Sequence, residues 1–322
     1  MKINHKGGKD DFVVNRLFLF CQKNGVYVNE TNMIKHSVYL LDTDRGLKIL
    51  KGYKRQEKIQ RIYEFLNQMM DHSVNYVVNY EWFPTGELVC EDEQVYWTLQ
   101  PYVQCERKFT YKKKKDRMDA IELLHDYHDV SKKVSEDNRF SFDTYSLIQQ
   151  WSQRLKVFQT NFPMLQMYMS TSQIMSIISW SEQALNYLKK YEKEEDELGQ
   201  AVIHGDVASH NFLRVNDQQI MMIDFDLASY APVIYDYIQL AQRYLVYINC
   251  SLKRLSSHPS LCYLFQNRFF LSALLFPSHV VREWNRLLID GVTMERLYRL
   301  QAFTTKDLYD REHLAKSILN EL

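Results

Sequence analysis

No net charge is carried by the 322-residue sequence: 40 basic and 40 acidic side chains balance, so no overall field draws the chain to nucleic acid or to an anionic membrane. No Cys-x-x-Cys pair occurs among Cys21, Cys90, Cys105, Cys250 and Cys262, which argues against a zinc or redox couple and for a reducing compartment. The opening residues, MKINHKGGKDDF, lack the apolar core of a secretory signal, and the expected location is the cytoplasm. An uncharged span, residues 157–181, holds Pro163 and many Gln, Ser, Thr and Asn residues. Inserted in a bilayer it would strand these polar groups, so it is expected as a buried helical hairpin or helix pair with Met164, Met167 and Met175 filling the core. There is no internal repeat and no long low-complexity segment.

What is present describes a folded protein. Apolar residues make up 46% and charged residues 25%, and the length suits two lobes. Residues 10–23 place Val13, Leu17, Phe20 and Cys21 on one helical face, with Asn24-Gly25 as the stop. Two alternating runs joined by Thr43-Asp44-Arg45-Gly46 read as a β-hairpin. Residues 55–70 return to helical spacing with Ile59, Ile62, Tyr63, Leu66 and Met70 inward, and strand-like runs follow at 74–82 and 94–103, separated by Pro84-Thr85-Gly86. Beyond about residue 117 most segments look helical. The expected fold is therefore α+β: a small N-terminal lobe with an antiparallel sheet over residues 1–100, and a larger, mainly α lobe over 101–322. The basic run at 107–117 and the acidic run at 192–197 are read as solvated surface.

Chemistry concentrates in two short runs, AVIHGDVASHNFL at 201–213 and IMMIDFDLA at 220–228. An apolar strand ending in His204-Gly205-Asp206 presents a carboxylate at its end, Asn211 can return to the same spot, and the second strand delivers Asp224. An Asp base, an Asn and a further Asp form a phosphoryl-transfer centre, in which one carboxylate takes the proton of an incoming hydroxyl and the other two groups hold Mg²⁺. A metal hydrolase could draw on His204, Asp206, His210, Asp224 and Asp226, but that leaves Asn211 and the first lobe unexplained.

His-Gly-Asp, four residues, Asn, and then Ile-Asp-Phe resembles the catalytic and metal loops of the aminoglycoside phosphotransferase and choline kinase superfamily, which has a bilobal protein-kinase-like fold. The resemblance implies that Asp206 is the catalytic base, that Asn211 and Asp224 are metal ligands, and that His204 braces the loop. It also implies that Asp236, in APVIYDYIQLAQ, steadies the catalytic loop at the cofactor site, and it matches His128 and Ser131 to a His-x-x-Ser signature.

In the first lobe the resemblance calls for a lysine on the nucleotide phosphates. Lys48 and Lys51 fall on opposite faces of their strand, and Ile49-Leu50-Lys51 is similar to the family's ending, so Lys51 is the candidate. Its helical partner is expected to be Glu64 or Glu57, Glu64 being better placed because Glu57 lies only six residues on, and LQPYV at 99–103 resembles the hinge that would hold adenine through the backbone around Gln100 and Tyr102. The turn before the lysine strand lacks the glycine that relatives often carry, and a phosphate is approached most closely where no side chain intrudes.

The activity implied is transfer of the γ-phosphoryl group of ATP, bound with Mg²⁺ between the lobes, to a hydroxyl of a small molecule. The alternative implied is a catalytically silent kinase-like assembly module. Its candidate partners are spore-coat proteins, because the length and the weak first loop are similar to the spore-coat-associated CotS and YutH group. No Ala-Pro-Glu segment closes an activation loop, which weighs against a protein acceptor. For a cationic acceptor, Trp180, Trp284, Tyr235, Tyr237 and Glu283 are the candidate walls.

Overall fold

The computed structural model describes residues 9–137 and 141–322. The chain divides into two compact units. The first contains, numbered in chain order, α1 (Lys9–Lys23), β1 (Val28–Lys35), β2 (Val38–Thr43), β3 (Gly46–Tyr53), α2 (Gln56–Asp71), β4 (Cys90–Asp92) and β5 (Val95–Pro101). The second then opens with α3 (Lys114–Asp137), α4 (Leu147–Thr160), α5 (Phe162–Leu165), α6 (Thr171–Lys190) and β6 (Gln200–Ile203). The chain returns to the first unit for β7 (Phe212–Arg214) and β8 (Ile220–Met222). It finishes in the second with β9 (Ser229–Pro232), α7 (Ile234–Leu245), α8 (Leu252–Ser256), α9 (Arg268–Leu275), α10 (Ser278–Asp290) and α11 (Met294–Leu319).

In the first unit the five strands are antiparallel in the order β1-β2-β3-β5-β4. Alternation along β3 sends Leu50 to one face, where it packs with Leu17, Phe20 and Cys21 of α1 and with Leu41, Phe83, Trp97 and Leu99. Gly52 shares that face, and a Cβ there would lie 2.7 Å from Val95 and 3.0 Å from Trp97. Lys51 and Tyr53 consequently fall on the other face. Helix α2 buries Ile59, Ile62, Phe65, Leu66 and Met69. Tyr63 and Met70, expected inward, are replaced there by Phe65 and Met69: Met70 is exposed, and the Tyr63 hydroxyl accepts a hydrogen bond from Trp82. The side chain of Val13 lies outside the described set.

Residues 74–82 do not form the expected strand. They run as irregular chain joined to other segments by isolated bridges, Val77 to Met222 and Glu81 to Leu99. Those links also move the unit boundary from the expected residue 100. Met222 N–H donates to Tyr76 O (2.7 Å), Val78 N–H to Met222 O (3.2 Å) and Glu106 N–H to Arg214 O (3.0 Å). The first unit therefore runs to Lys108 and also takes Phe212–Asp226.

The second unit is helical apart from the antiparallel pair β6-β9. Residues 157–181 are helical as expected, but Met164, Met167 and Met175 are exposed. The core there is built by Leu165, Ile174, Ile177 and Ile178, because the inward face of α6 is set by its branched residues, and α6 starts from a capping box between Ser170 and Gln173. In the acidic run, Glu195 accepts from the Tyr235 hydroxyl and Glu194 pairs with Arg268, so it is not free surface. In the basic run Lys112 to Lys115 are exposed while Arg117 is buried and donates to Tyr111 O. Among the described residues no helix is long and apolar enough to cross a membrane.

Candidate active site

In the second unit, β6 delivers the loop that begins at His204. Helix α3 fixes the strand: the Tyr127 and Ser131 hydroxyls both donate to Val202 O, at 2.7 Å each. Gly205 then turns with φ +76°, and a Cβ at this point would sit 2.1 Å from the carbonyl oxygen of Leu227. Only glycine fits both the conformation and the space. This explains the central residue of His-Gly-Asp.

Asp236, at the start of α7, holds the loop from within. It is fully buried, and its carboxylate accepts from His204 N–H (2.8 Å), Gly205 N–H (2.9 Å) and His128 Nε2 (3.0 Å). Burial alone would raise its pKa, but the donors, His128 first, outweigh burial and hold the carboxyl below its usual range. Burial lowers the pKa of His128, whose Nδ1 has no hydrogen-bond partner among the described residues, consistent with a neutral imidazole that donates from Nε2. Asp236 is thus enclosed by its own loop and cannot touch a cofactor; it is a positioning residue. His204 is buried as well, and its Nδ1 accepts from Asp206 N–H at 3.2 Å.

Asp206 and Asn211 are brought together. Asn211 Nδ2 donates to Asp206 O (2.9 Å) and Oδ2 (3.3 Å). This fixes the amide, and its Oδ1 has no donor among the described residues. The other carboxylate oxygen of Asp206 lies 2.6 Å from Nη2 of Arg243, a contact absent from the sequence-based reading. Seven residues separate Asp236 from Arg243, two helical turns, so both project from one face of α7. That spacing is the signal that could have found it.

In the first unit, Lys51 and Asp224 are brought together. The Lys51 ammonium lies 2.6 Å from Asp224 Oδ1 and 2.9 Å from Asp226 Oδ1, and 5.1 Å from the centre of the Tyr53 ring. Lys35 reaches Asp224 Oδ2 at 3.3 Å. Burial would raise the Asp224 pKa, but Lys51 and then Lys35 hold it well below the ordinary carboxylate range. Asp224 also has φ 66°, an uncommon conformation outside glycine that collects at functional sites. Tyr53 donates to Asp226 Oδ1 (3.1 Å) and shares a hydrogen bond with Tyr80.

Three first-unit expectations fare differently. Glu64 does not pair with Lys51: it is exposed and accepts from Gln60 one turn earlier at 2.6 Å. The partners of Lys51 come from the Ile-Asp-Phe-Asp loop instead. Gln100 sits in the ladder opposite Ile49, and Tyr102 N–H is already donated to Leu47 O at 3.3 Å. Lys48, on the opposite face from Lys51, pairs with Glu81 at 2.6 Å. In place of a glycine turn, β1 and β2 are joined through His36 and Ser37, with Ser37 at φ 58° and Lys35 beside it. Lys35 is not signalled by the sequence, because a single lysine at a strand end has no pattern comparable to a glycine turn. Among the described residues no three His, Cys, Asp or Glu side chains form a metal cluster.

An antiparallel five-stranded sheet bearing a lysine paired to an Asp-Phe-Asp loop, with a mainly helical part bearing Asp-x4-Asn, defines a kinase-like phosphotransferase fold. The model of the phosphotransferase enzyme family matches residues 34–248, more than half of the chain, and the protein belongs to that family. Solved structures share the fold. An aminoglycoside phosphotransferase from Alicyclobacillus acidocaldarius has a TM-score of 0.69 at 11% identity, over 91% of this chain and 92% of that one. A spectinomycin phosphotransferase, in complex with ADP and spectinomycin, has a TM-score of 0.58 at 14% identity, over 96% and 98%. A choline kinase from Streptococcus pneumoniae has 0.55 at 11%, over 94% and 99%. No curated protein matches the sequence.

Proposed function

We propose that the protein transfers the γ-phosphoryl group of ATP to a hydroxyl of a small molecule, with Asp206 as the base that takes the hydroxyl proton. The observation that carries this is the Asp206–Asn211 arrangement: the amide nitrogen is committed to Asp206, and its oxygen has no donor among the described residues. Asn211 Oδ1 and Asp224 fit Mg²⁺, being hard oxygen donors of which one carboxylate already attracts two ammonium groups. When bound, the ion would offset charge on the phosphates. Lys51 would place its charge on the same phosphates, and Lys35 would supply part of the attraction that backbone amides of a glycine turn give elsewhere. His204 and Asp236 orient the loop and exchange no proton with substrate.

A second reading is favoured by a specific feature. Both oxygens of Asp224 are held by ammonium groups and the turn between β1 and β2 has no glycine, as would suit a silent assembly module with spore-coat proteins as candidate partners. Thermal unfolding with ATP and MgCl₂ separates the two. A ligand that binds only the folded state at 100 times its Kd stabilises by about 2.7 kcal/mol. The enzyme is expected to show a clear rise in Tm that Asp224→Ala removes. No rise at millimolar nucleotide would favour the silent module.

A further inference from the structure

Three helices of the second unit each contribute an arginine to a chain of positive charge, of which one member meets Asp206 and Arg282 interacts with the other two. Arg243 on α7 pairs with Asp206, and Arg282 on α10 pairs with Glu283 at 3.0 Å, the two arginine side chains being 25% and 37% exposed. Arg154 on α4 is half-buried, and its guanidinium makes neither an ion pair nor a hydrogen bond with any described residue. The three helices are locked together. Asn285, one turn beyond Arg282, donates to Arg154 O (2.8 Å), and Gln242, next to Arg243, donates to Ala273 O (2.8 Å) and Phe276 O (3.1 Å), just before α10 begins.

The groups sense one another. Burial and then Arg282 lower the pKa of Arg154; burial and then, against the pull of Asp206, Arg282 lower that of Arg243. His279 adds no positive charge to them, since burial and then Arg282 push it down to about 4 and its Nδ1 accepts from Arg282 Nη2 at 3.1 Å. Arg154, Arg243 and Arg282 therefore have only two carboxylate partners between them, Asp206 and Glu283; Glu283 is shared with Arg286, and Asp206 would be engaged in catalysis. Planar guanidinium groups held together without matching acids are suited to bidentate recognition of carboxylate or phosphate.

Of the five side chains expected to receive a cationic acceptor, Trp180 is half-buried and the other four are spent elsewhere. Trp284, Tyr235 and Tyr237 are fully buried, with Trp284 Nε1 donating to Thr304 at 2.9 Å. Glu283 is shared by Arg282 and Arg286. We propose, on the basis of the phosphotransferase reading, that the acceptor carries an anionic group, a carboxylate or a phosphate ester, seated by Arg154, Arg243 and Arg282 beside Asp206. In the transfer the acceptor O–H bond breaks and its proton goes to Asp206. A bond forms between the acceptor oxygen and the γ-phosphorus of the nucleoside triphosphate. The bond from that phosphorus to the bridging oxygen breaks, leaving its electron pair on the nucleoside diphosphate.

The test is a calorimetric titration of the full chain with glycerate, glycerol 3-phosphate, glycerol and choline, repeated with Arg154→Gln and Arg282→Gln. Glycerate or glycerol 3-phosphate is expected to bind, the pair reporting which anion fits, while glycerol and choline bind at least tenfold more weakly. Each substitution is expected to weaken the anion by roughly 10 to 100-fold, the worth of a charge-assisted hydrogen bond, and to leave the unfolding temperature and the ATP-induced shift in place. Choline or glycerol binding as well as the anions, or no binding of either anion, would overturn the proposal. Because binding is read without turnover, that failure is distinguishable from failure of the phosphotransferase reading, which shows in the ATP-induced shift.

Discussion

Two acidic loops carry the candidate chemistry, and they are held by different means. The loop of Asp206 is fixed from inside the second unit, by a buried carboxylate whose three donors are two backbone amides and an imidazole. The loop of Asp224, in the first unit, is held by ammonium groups at the ends of long side chains, with Lys51 buried and Lys35 58% exposed. A buried hydrogen-bonded network is little affected by salt and costly to break, whereas an exposed ammonium contact is screened and easily exchanged. The difference suits a rigid base and a replaceable electrostatic partner for incoming phosphates.

Breaking the buried network should have the largest effect. Asp236→Ala leaves two amides and His128 without an acceptor, and is expected to cost roughly 3–5 kcal/mol, read as a large fall in Tm and loss of turnover. Next comes Gly205→Ala, which forces a left-handed side chain against Leu227 O. The expected cost is about 1–3 kcal/mol, typical of an imposed backbone strain, and the loop should lose activity before the fold is lost.

Acid should weaken the same network before it reaches the other loop. His128 has its folded pKa below 6.5, so the unfolded chain binds the proton first, and stability falls as pH drops below about 6.5. His258 and His279, also lowered by burial, add to this slope. His128→Gln should flatten it partly in unfolding curves taken between pH 7 and 5. Asp224 is depressed as a carboxylate, so its stabilising share is present above its unfolded value of 3.8 and disappears only as pH falls below that. The smallest effect is expected for Lys35→Ala, at most about 1 kcal/mol in stability. Its consequence should be weaker nucleotide binding at low salt, converging on the parent at high salt.

Legibility in the sequence followed how tightly chemistry constrains each residue. His204, Gly205, Asp206 and Asn211 were readable because the loop allows few alternatives: glycine at 205 is required by a carbonyl 2.1 Å away. Alternation only set Lys51 on the opposite face from Lys48, and the resemblance of Ile49-Leu50-Lys51 to the family's ending singled it out; its partner was not readable, since Glu64 lies at helical spacing while the carboxylates it meets are over 170 residues distant. Arg243 left one signal, its seven-residue spacing from Asp236 on α7, which gains meaning only once Asp236 is placed against the Asp206 loop. Residues 74–82 have strand composition yet lack a continuous neighbour to pair with, and Met164, Met167 and Met175 show that an uncharged stretch does not reveal which face is inward.

The most direct test of the central claim compares ATP-dependent turnover of the wild type with that of Asp206→Asn on the same acceptor. Turnover is expected to fall by roughly two to four powers of ten, the usual worth of a positioned base, with the ATP-induced rise in Tm retained. Equal rates for the two proteins would contradict the assignment of Asp206.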